Sequence, residues 1–233
     1  KPELVHLRLD RYAENADQLT LAQTPGGEYL EPAEFQELLN NPPKDLVILD
    51  ARSEYEWKLG RFKNAEVFPI EHFRDLPEHL LKREDLKDKT VVTYCTGGIK
   101  CEKLTPWMKQ IGFKKVYQLH GGVLEYGWQT GGEGWEGQCY VFDDRISTPV
   151  NTVNPSVIGE CHRCGAETEN FINCANALCN KHILQCEACC EALEGACSTD
   201  CMDSPQRREW DGTGQYWRGE KSRLVTDSKS TAP

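Results

Sequence analysis

Short apolar runs and amphipathic segments alternate through the first two thirds of the chain. Short runs of apolar residues are typical of strands buried on both faces, and apolar residues three or four positions apart are typical of helices. In chain order the predicted elements are strand 4–9, helix 32–39, strand 46–50, helix 54–59, helix 76–86, strand 90–94, helix 99–111, strand 116–119 and strand 138–142. This alternation predicts an α/β fold with a parallel sheet and helices on both faces, in which ligands bind at the carboxyl ends of the strands.

A cysteine follows the predicted strand 90–94 directly, and a helix is predicted to begin four residues later. The loop and the first helical residues are Cys95, Thr96, Gly97, Gly98, Ile99 and Lys100. Paired glycines let backbone N–H groups turn toward one point, and the helix adds its positive N-terminal end. Such surroundings lower the pKa of a cysteine from about 8.5 to about 3.5–7.5. We therefore predict that Cys95 is a reactive thiolate; a buried structural cysteine would not explain the glycines or the lysine.

The cysteines divide the chain into two regions, since nine of the twelve lie between positions 161 and 201. The Gly- and Trp-containing stretch 129–137 is predicted to be a surface loop. The predicted organisation is an N-terminal strand and lead-in over 1–28, an α/β catalytic domain over 29–146, a linker over 147–160, a cysteine-rich region over 161–203 and a polar tail over 204–233. Within that tail, the polar residues 226–233 are predicted to be disordered.

Most cysteines of the second region form four pairs with the spacing of metal ligands. The pairs are Cys161 and Cys164, Cys174 and Cys179, Cys186 and Cys189, and Cys197 and Cys201. Eight thiolates can hold two tetrahedral ions, and zinc suits such sites best, with an iron–sulfur cluster or a disulfide scaffold as alternatives. Consecutive and interleaved pairing are both open, with a slight preference for interleaving, and Cys190 is left over. We predict two structural zinc ions; no organic cofactor is evident.

Charge limits the kinds of partner. Acidic residues outnumber basic ones by 37 to 27, giving a net charge of −10, so a generally basic coat for nucleic acid is excluded. A local lysine group is either a grip for RNA phosphates or a solvated helix face; its members are Lys100, Lys103, Lys109, Lys114 and Lys115. The sequence has no membrane-spanning run and no secretory signal, so we expect a cytoplasmic protein that does not bind membranes. Because the chain begins at Lys1 rather than at a methionine, we interpret it as a fragment.

Several motifs together resemble a known family. Asp50-Ala51-Arg52 after a buried strand, the Cys95 loop and Gly121-Gly122 resemble a rhodanese-type domain, and segments 5–7, 94–103, 117–122 and 135–145 resemble the rhodanese-containing tRNA uridine hydroxylases. The resemblance implies oxygen-dependent 5-hydroxylation of the wobble uridine of tRNA, a reaction that needs the loop cysteine, onto which Cys95 maps. It also implies a further N-terminal domain before Lys1, and an arginine where this chain has Lys100.

Six further residues are candidates for supporting the site: Asp50, Arg52, Cys101, Asp143, Asp144 and Arg145. Asp50 and Arg52 either orient the loop through a buried ion pair or cap the strand end, and we favour the structural role. Cys101 either resolves an oxidised Cys95 or points inward as a structural residue, and the second is favoured. The charged segment 143–145 either lines the mouth of the site or forms an ordinary surface turn.

Two other functions remain open. In rhodanese sulfurtransferases the loop cysteine carries a persulfide. A six-residue loop such as the one from Cys95 to Lys100 suits a terminal sulfur atom better than a phosphate group. That function would need no tRNA, and its sulfur donor could be a partner protein. A third interpretation is non-catalytic, with the cysteine-rich region as a protein-interaction module and the first domain as a redox sensor.

Overall fold

The computed structural model describes residues 25–143 and 145–214, which fall into two compact units. The first extends to Ser156 and the second begins at Val157, so the division lies inside the predicted linker 147–160. The strand predicted over 4–9 and the disorder predicted over 226–233 lie outside the described residues. Within the described ranges, every helix is too short or too polar to cross a membrane.

A four-stranded parallel sheet forms the centre of the first unit, in the order β1-β5-β4-β2. Its strands are β1 Glu28–Leu30, β2 Leu46–Asp50, β4 Thr90–Tyr94 and β5 Lys115–Leu119. In β2 and β4, Asp50 lies opposite Tyr94, so both strands end at the same edge. The predicted parallel sheet is confirmed, and its carboxyl edge lies where the Cys95 loop begins.

Helices cover both faces of this sheet. They are α1 Pro32–Asn40, α2 Glu54–Leu59, α3 Leu76–Leu80, α4 Ile99–Gln110 and α5 Gly122–Thr130. Successive residues of a strand point to opposite faces, so Val91 belongs to one apolar cluster with Trp107 of α4, and Val92 belongs to another with Phe35 of α1 and Tyr126 of α5. The two clusters hold the sheet from both sides.

A second sheet, antiparallel and three-stranded, differs from the sequence interpretation. It contains β3 Gly60–Phe62, β6 Trp135–Tyr140 and β7 Ser147–Pro149. The prediction of a surface loop over 129–137 is wrong for residues 135–137, because Trp135 and Gly137 are buried and pair with β3. The glycine within this strand hides the alternating apolar pattern that would have revealed it. The expected helix 76–86 is also shorter, since α3 stops at Leu80 and a separate 3₁₀ turn covers Glu84–Leu86.

The second unit has little apolar core. A hairpin of β8 Phe171–Asn173 and β9 His182–Leu184 is followed by α6 Glu187–Ala192 and α7 Thr199–Met202. Ile172 and Ile183 pack with Cys190 in one small cluster, and a second small cluster surrounds Leu193. A unit with such a small core needs further links to be stable.

Candidate functional site

The Cys95 loop joins the end of β4 to the start of α4. Gly98 has a left-handed φ of 85°, which a residue with a side chain rarely adopts, and it caps the helix that begins at Ile99. This turn aims the Gly98 N–H at the Cys95 Sγ, 3.1 Å away. The side chain of Cys95 is 2% exposed, so its sulfur lies at the bottom of the loop.

The surroundings of Cys95 favour the thiolate. The thiol of Cys101 donates a hydrogen bond to the Cys95 sulfur. The Lys100 ammonium and the N–H groups of Cys101 and Lys100 also stabilise the negative charge on that sulfur. Together these contacts outweigh the effect of burial and lower the pKa of Cys95 to about 6. Burial and the facing Cys95 sulfur raise the pKa of Cys101 well above its usual range. At neutral pH the pair is therefore one thiolate and one thiol, and Cys101 lies inward as a positioning donor.

We expect alkylation of Cys95 to reach half its maximal rate near pH 6, because only the thiolate reacts and its fraction rises with pH through the pKa. Cys101→Ala removes the thiol donor and should move this midpoint to higher pH. Cys101→Ser keeps a donor at the same position and should stay closer to the wild type. Iodoacetamide rates from pH 4 to 10, with Cys95 modification followed by peptide mass spectrometry, measure the midpoint; equal midpoints in all three proteins would contradict this role of Cys101.

The N-terminus of α5 supports the loop from the other side. The N–H groups of Val123 and Leu124 donate to the carbonyl oxygens of Cys95 and Thr96, at 3.0 and 3.2 Å. Gly122 has a φ of 67°, and a Cβ placed on it would lie 2.5 Å from the Cys95 carbonyl oxygen. The sequence interpretation used Gly121-Gly122 only for the family resemblance and missed this contact; the signal available was a glycine pair directly after a predicted strand.

The front of the loop is open. A Cβ placed on Gly97 would have no described atom within 4 Å, and Ile99 is 54% exposed. On one side the Thr96 hydroxyl donates to the carbonyl oxygen of Tyr140, at 3.5 Å. The loop surface at Gly97 is therefore free of contacts with other described residues.

Lys100 is held by a carboxylate that sequence reasoning did not assign to the site. Its Nζ lies 2.8 Å from Oε2 of Glu56, whose side chain is fully buried. The same oxygen accepts the N–H of Ser53, at 3.0 Å, and Oε1 of Glu56 has no hydrogen-bond partner among the described residues. The Ser-x-x-Glu capping pattern could have placed Glu56 at the start of α2, but not its contact with Lys100. The ion pair fixes the lysine charge beside Cys95.

Asp50 and Arg52 form a fully buried ion pair, with Nη2 and Oδ2 2.6 Å apart. The hydroxyl of Tyr94 donates to the same Asp50 oxygen at 2.6 Å, and Arg52 donates to the carbonyl oxygen of Gly60 at 2.7 Å. Because Tyr94 directly precedes Cys95, this network fixes the end of the strand that carries the loop. The structure thus brings Asp50 and Arg52 behind the loop rather than into its mouth.

The charged segment after β6 forms its own surface pair. Asp143 and Arg145 are 2.6 Å apart and more than half exposed on average, and the Arg145 guanidinium lowers the pKa of Asp143 to about 2. Asp144 lies outside the described residues. Asp143 and Arg145 therefore form an ion pair with each other at the surface.

Most of the predicted lysine patch is already partnered. Lys109 donates to the carbonyl oxygen of Gly26, while Lys114 pairs with Asp88 and Lys115 with Asp45. These contacts favour the solvated-face interpretation over a grip for RNA phosphates.

The second unit gathers its cysteines into two groups of four, each with ligand atoms within 4.8 Å of one another. The groups are Cys161, Cys164, Cys186 and Cys189, and Cys174, Cys179, Cys197 and Cys201. The first cysteine pair along the chain lies with the third, and the second pair lies with the fourth. This arrangement confirms the slight preference for interleaved pairing. Both clusters could hold a metal ion.

The sulfur distances fit a metal ion better than disulfides. Sγ atoms are 3.6 Å apart in Cys164 and Cys186, and 3.8 Å apart in Cys179 and Cys197. A disulfide needs about 2.05 Å, whereas the edge of a sulfur tetrahedron around zinc, with bonds of about 2.3 Å, is about 3.8 Å. The twelve cysteines, all within the described ranges, are free thiols.

Backbone donors prepare these sulfurs to be ligands. Burial opposes ionisation of Cys161, but N–H groups of Cys186, Cys164 and Arg163 outweigh it and lower the pKa of its thiol to about 6. In the second cluster the N–H of Cys197 donates to the sulfur of Cys174, at 3.4 Å. Since metal ligands must be deprotonated, these donors favour binding.

Comparison with known proteins gives a consistent result. The family description "Rhodanese-like domain" matches residues 31–127, and "Rhodanase C-terminal" matches residues 136–202. Similar proteins named tRNA uridine(34) hydroxylase come from Cytophaga hutchinsonii (48% identity, 93% of this chain and 66% of the relative), Listeria monocytogenes (49%, 77% and 56%) and Onion yellows phytoplasma (47%, 89% and 66%). The chain therefore spans between 56% and 66% of the length of these relatives.

Proposed function

The chain belongs to the rhodanese-domain family whose curated relatives are named tRNA uridine(34) hydroxylase, and from this premise we propose that it carries the catalytic centre of such an enzyme. Its substrate would be uridine 34, the wobble nucleotide of tRNA. The reaction would replace the C5–H bond of the uracil by C5–OH, with dioxygen as the oxidant and a two-electron reductant converting the second oxygen atom to water.

The observation that carries this proposal is the ionised Cys95 below an open loop mouth. Cys95 is proposed as the reactive thiolate, stabilised by the Gly98 N–H and the Cys101 thiol. Thr96, Gly97 and Ile99 would form the wall that the substrate meets, and Lys100 would supply the fixed positive charge. Asp50 and Arg52 would act through Tyr94 as positioning residues. Asp143, Asp144 and Arg145 are proposed to border the mouth.

We propose zinc for both cysteine clusters, because four thiolates at tetrahedral spacing suit that ion. Four protein ligands leave no open coordination position, so each ion would stabilise the second unit and take no part in the reaction. Thiolate ligands and a reactive cysteine persist in a reducing compartment. A tRNA substrate is found there too, and the proposed location is the cytoplasm.

Nucleosides from tRNA test the hydroxylase directly. Cells that lack their own uridine 34 hydroxylase should regain 5-hydroxyuridine derivatives when they express the complete gene product containing this chain. Cys95→Ala should reduce these nucleosides to the background level, because it removes the only group proposed to react. Cys190→Ala is the matched control, since Cys190 is buried, lies outside the loop and belongs to neither cysteine cluster. Unchanged nucleosides in the Cys95 variant would exclude its catalytic role.

A sulfurtransferase would give a different signature. Incubation with thiosulfate or a protein persulfide would add one sulfur atom to Cys95, visible as a mass gain of the intact chain. The names of the curated relatives favour the hydroxylase over this alternative.

A further inference from the structure

One strongly exposed aromatic side chain lies beside the catalytic loop. Phe142 is 66% exposed, two residues beyond the end of β6. Its ring centroid lies 5.6 Å from the Lys100 Nζ, and the ring of Tyr140 contacts it edge-on at 5.0 Å. These two neighbours cover only part of the ring. Most of the ring therefore remains open to a further contact.

Lys100 connects this ring with the reactive sulfur. Its ammonium lies over Phe142 and also acts on Cys95 through its charge. It is held in place by Glu56, so the two contacts exist together. A flat group on Phe142 would consequently lie beside Lys100, whose charge acts on the Cys95 sulfur.

The local charges point to a neutral flat ligand. The Lys100 charge is balanced by Glu56, and the carboxylate of Asp143 is adjacent to Phe142 in the chain. Arg145 balances the Asp143 carboxylate in the same way, so neither ion pair offers a net charge to a phosphate. A nucleobase carries no charge and gains from stacking on an aromatic face.

We propose that Phe142 is the stacking platform for the substrate base, taken as a single unstacked pyrimidine, and that Lys100 donates a hydrogen bond to its ring carbonyl at C4. This deepens the proposed hydroxylase function and rests on it. An ammonium has three donors and no acceptor, and Glu56 accepts one of them. Uracil has a carbonyl oxygen at C4, whereas cytosine has an amino group there. The pair therefore selects uracil over cytosine.

Binding of short oligonucleotides to the complete gene product tests the platform. Loss of one base–aromatic stack corresponds to about 5- to 150-fold weaker binding. Phe142→Ala and Phe142→Leu should weaken binding of oligouridylate by an amount in this range, and Phe142→Tyr should bind nearly as well as the wild type. Trp128→Ala is the matched control, because Trp128 is 83% exposed on α5 and should leave binding unchanged. The wild type should bind oligouridylate more tightly than oligocytidylate.

Several results would overturn the proposal. Equal oligouridylate binding by the wild type and Phe142→Ala would remove the platform, as would full binding by Phe142→Leu or an equal loss in Trp128→Ala. Equal affinity of the wild type for the two oligonucleotides would remove the role of Lys100. Unchanged Cys95 alkylation at pH 6 in the Phe142 variants shows that the loop is intact.

The platform and the hydroxylase can fail separately. If the wild type restores no hydroxylated nucleosides but binds oligouridylate through Phe142, the platform stands and the reaction is wrong. If nucleosides are restored equally by the wild type and Phe142→Ala and binding is equal, the hydroxylase stands and the platform is wrong.

Discussion

Gly122→Ala is expected to displace the Cys95 loop and destabilise the first unit by about 2–5 kcal/mol. A left-handed alanine costs ~1–2 kcal/mol, and forcing packed atoms apart costs ~1–3 kcal/mol. Here the added methyl would lie 2.5 Å from the Cys95 carbonyl oxygen and 2.7 Å from the Gly98 nitrogen. Since Gly98 also donates to the Cys95 sulfur, the change should raise the pKa of Cys95 as well.

Thermal unfolding and Cys95 alkylation at pH 6 measure the two effects. Each kcal/mol lowers the melting temperature by roughly 2–4 °C for a chain of this size. A Cys95 pKa raised by one unit from about 6 lowers the thiolate fraction at pH 6 from about one half to about one tenth. Gly97→Ala is the matched control, because the added methyl meets no described atom and the backbone there is not left-handed. It should retain stability within about 0.5 kcal/mol and keep the thiolate. Equal behaviour of the two variants would show that α5 does not support the loop.

Removal of metal is expected to unfold the second unit and leave the first intact. Structural zinc contributes about 10–16 kcal/mol of binding free energy in small cysteine sites, and the apolar clusters of this unit are too small to replace it. Amide hydrogen exchange after addition of a chelator measures this unfolding. We expect β8 and β9 to lose their protection from exchange, while alkylation of Cys95 in the first unit stays unchanged. Full retention of amide protection without metal would contradict a structural role, and visible absorbance in the purified protein would indicate iron–sulfur clusters instead.

Two adjacent cysteines provide the variants for this test. Cys189 belongs to the first cluster, whereas Cys190 lies outside both and packs against Ile172 and Ile183. Native mass spectrometry should find two ions in the wild type and in Cys190→Ala, but no more than one in Cys189→Ala. Two ions in Cys189→Ala would exclude this set of ligands.

Sequence reasoning located the elements whose apolar runs are continuous. Strands β2 and β4 have the predicted ends, because buried parallel strands carry little else than apolar residues. It missed α5, whose start at Gly122 carries a turn signal, and β6, whose glycine interrupts the alternation. It predicted Cys95 as the reactive residue because the loop sequence that points to a thiolate is local. It could not find Glu56, since the partner of Lys100 lies 44 residues away and only the sheet brings them together.

The supporting residues divide in the same way. A buried ion pair of Asp50 and Arg52 was one of two interpretations left open by the sequence, since the two residues are neighbours at a strand end, and the structure contains that pair. Its link to Tyr94 depends on the pairing of β2 with β4 and is not visible along the chain. The cysteine clusters follow the same rule, because spacing shows that cysteines form pairs, while the fold decides which pairs combine.

The interleaved ligand order has a consequence for synthesis of the chain. A ribosome releases Cys161, Cys164, Cys174 and Cys179 before any of the later ligands, and these four belong to different native clusters. Four thiols that emerge together can capture one ion in a consecutive, non-native set. Native assembly then requires ligand exchange once Cys186 and Cys189 emerge. We expect maturation to be slower when the metal is present from the start than when it is added to the finished chain, a kinetic cost set by the order of the ligands alone.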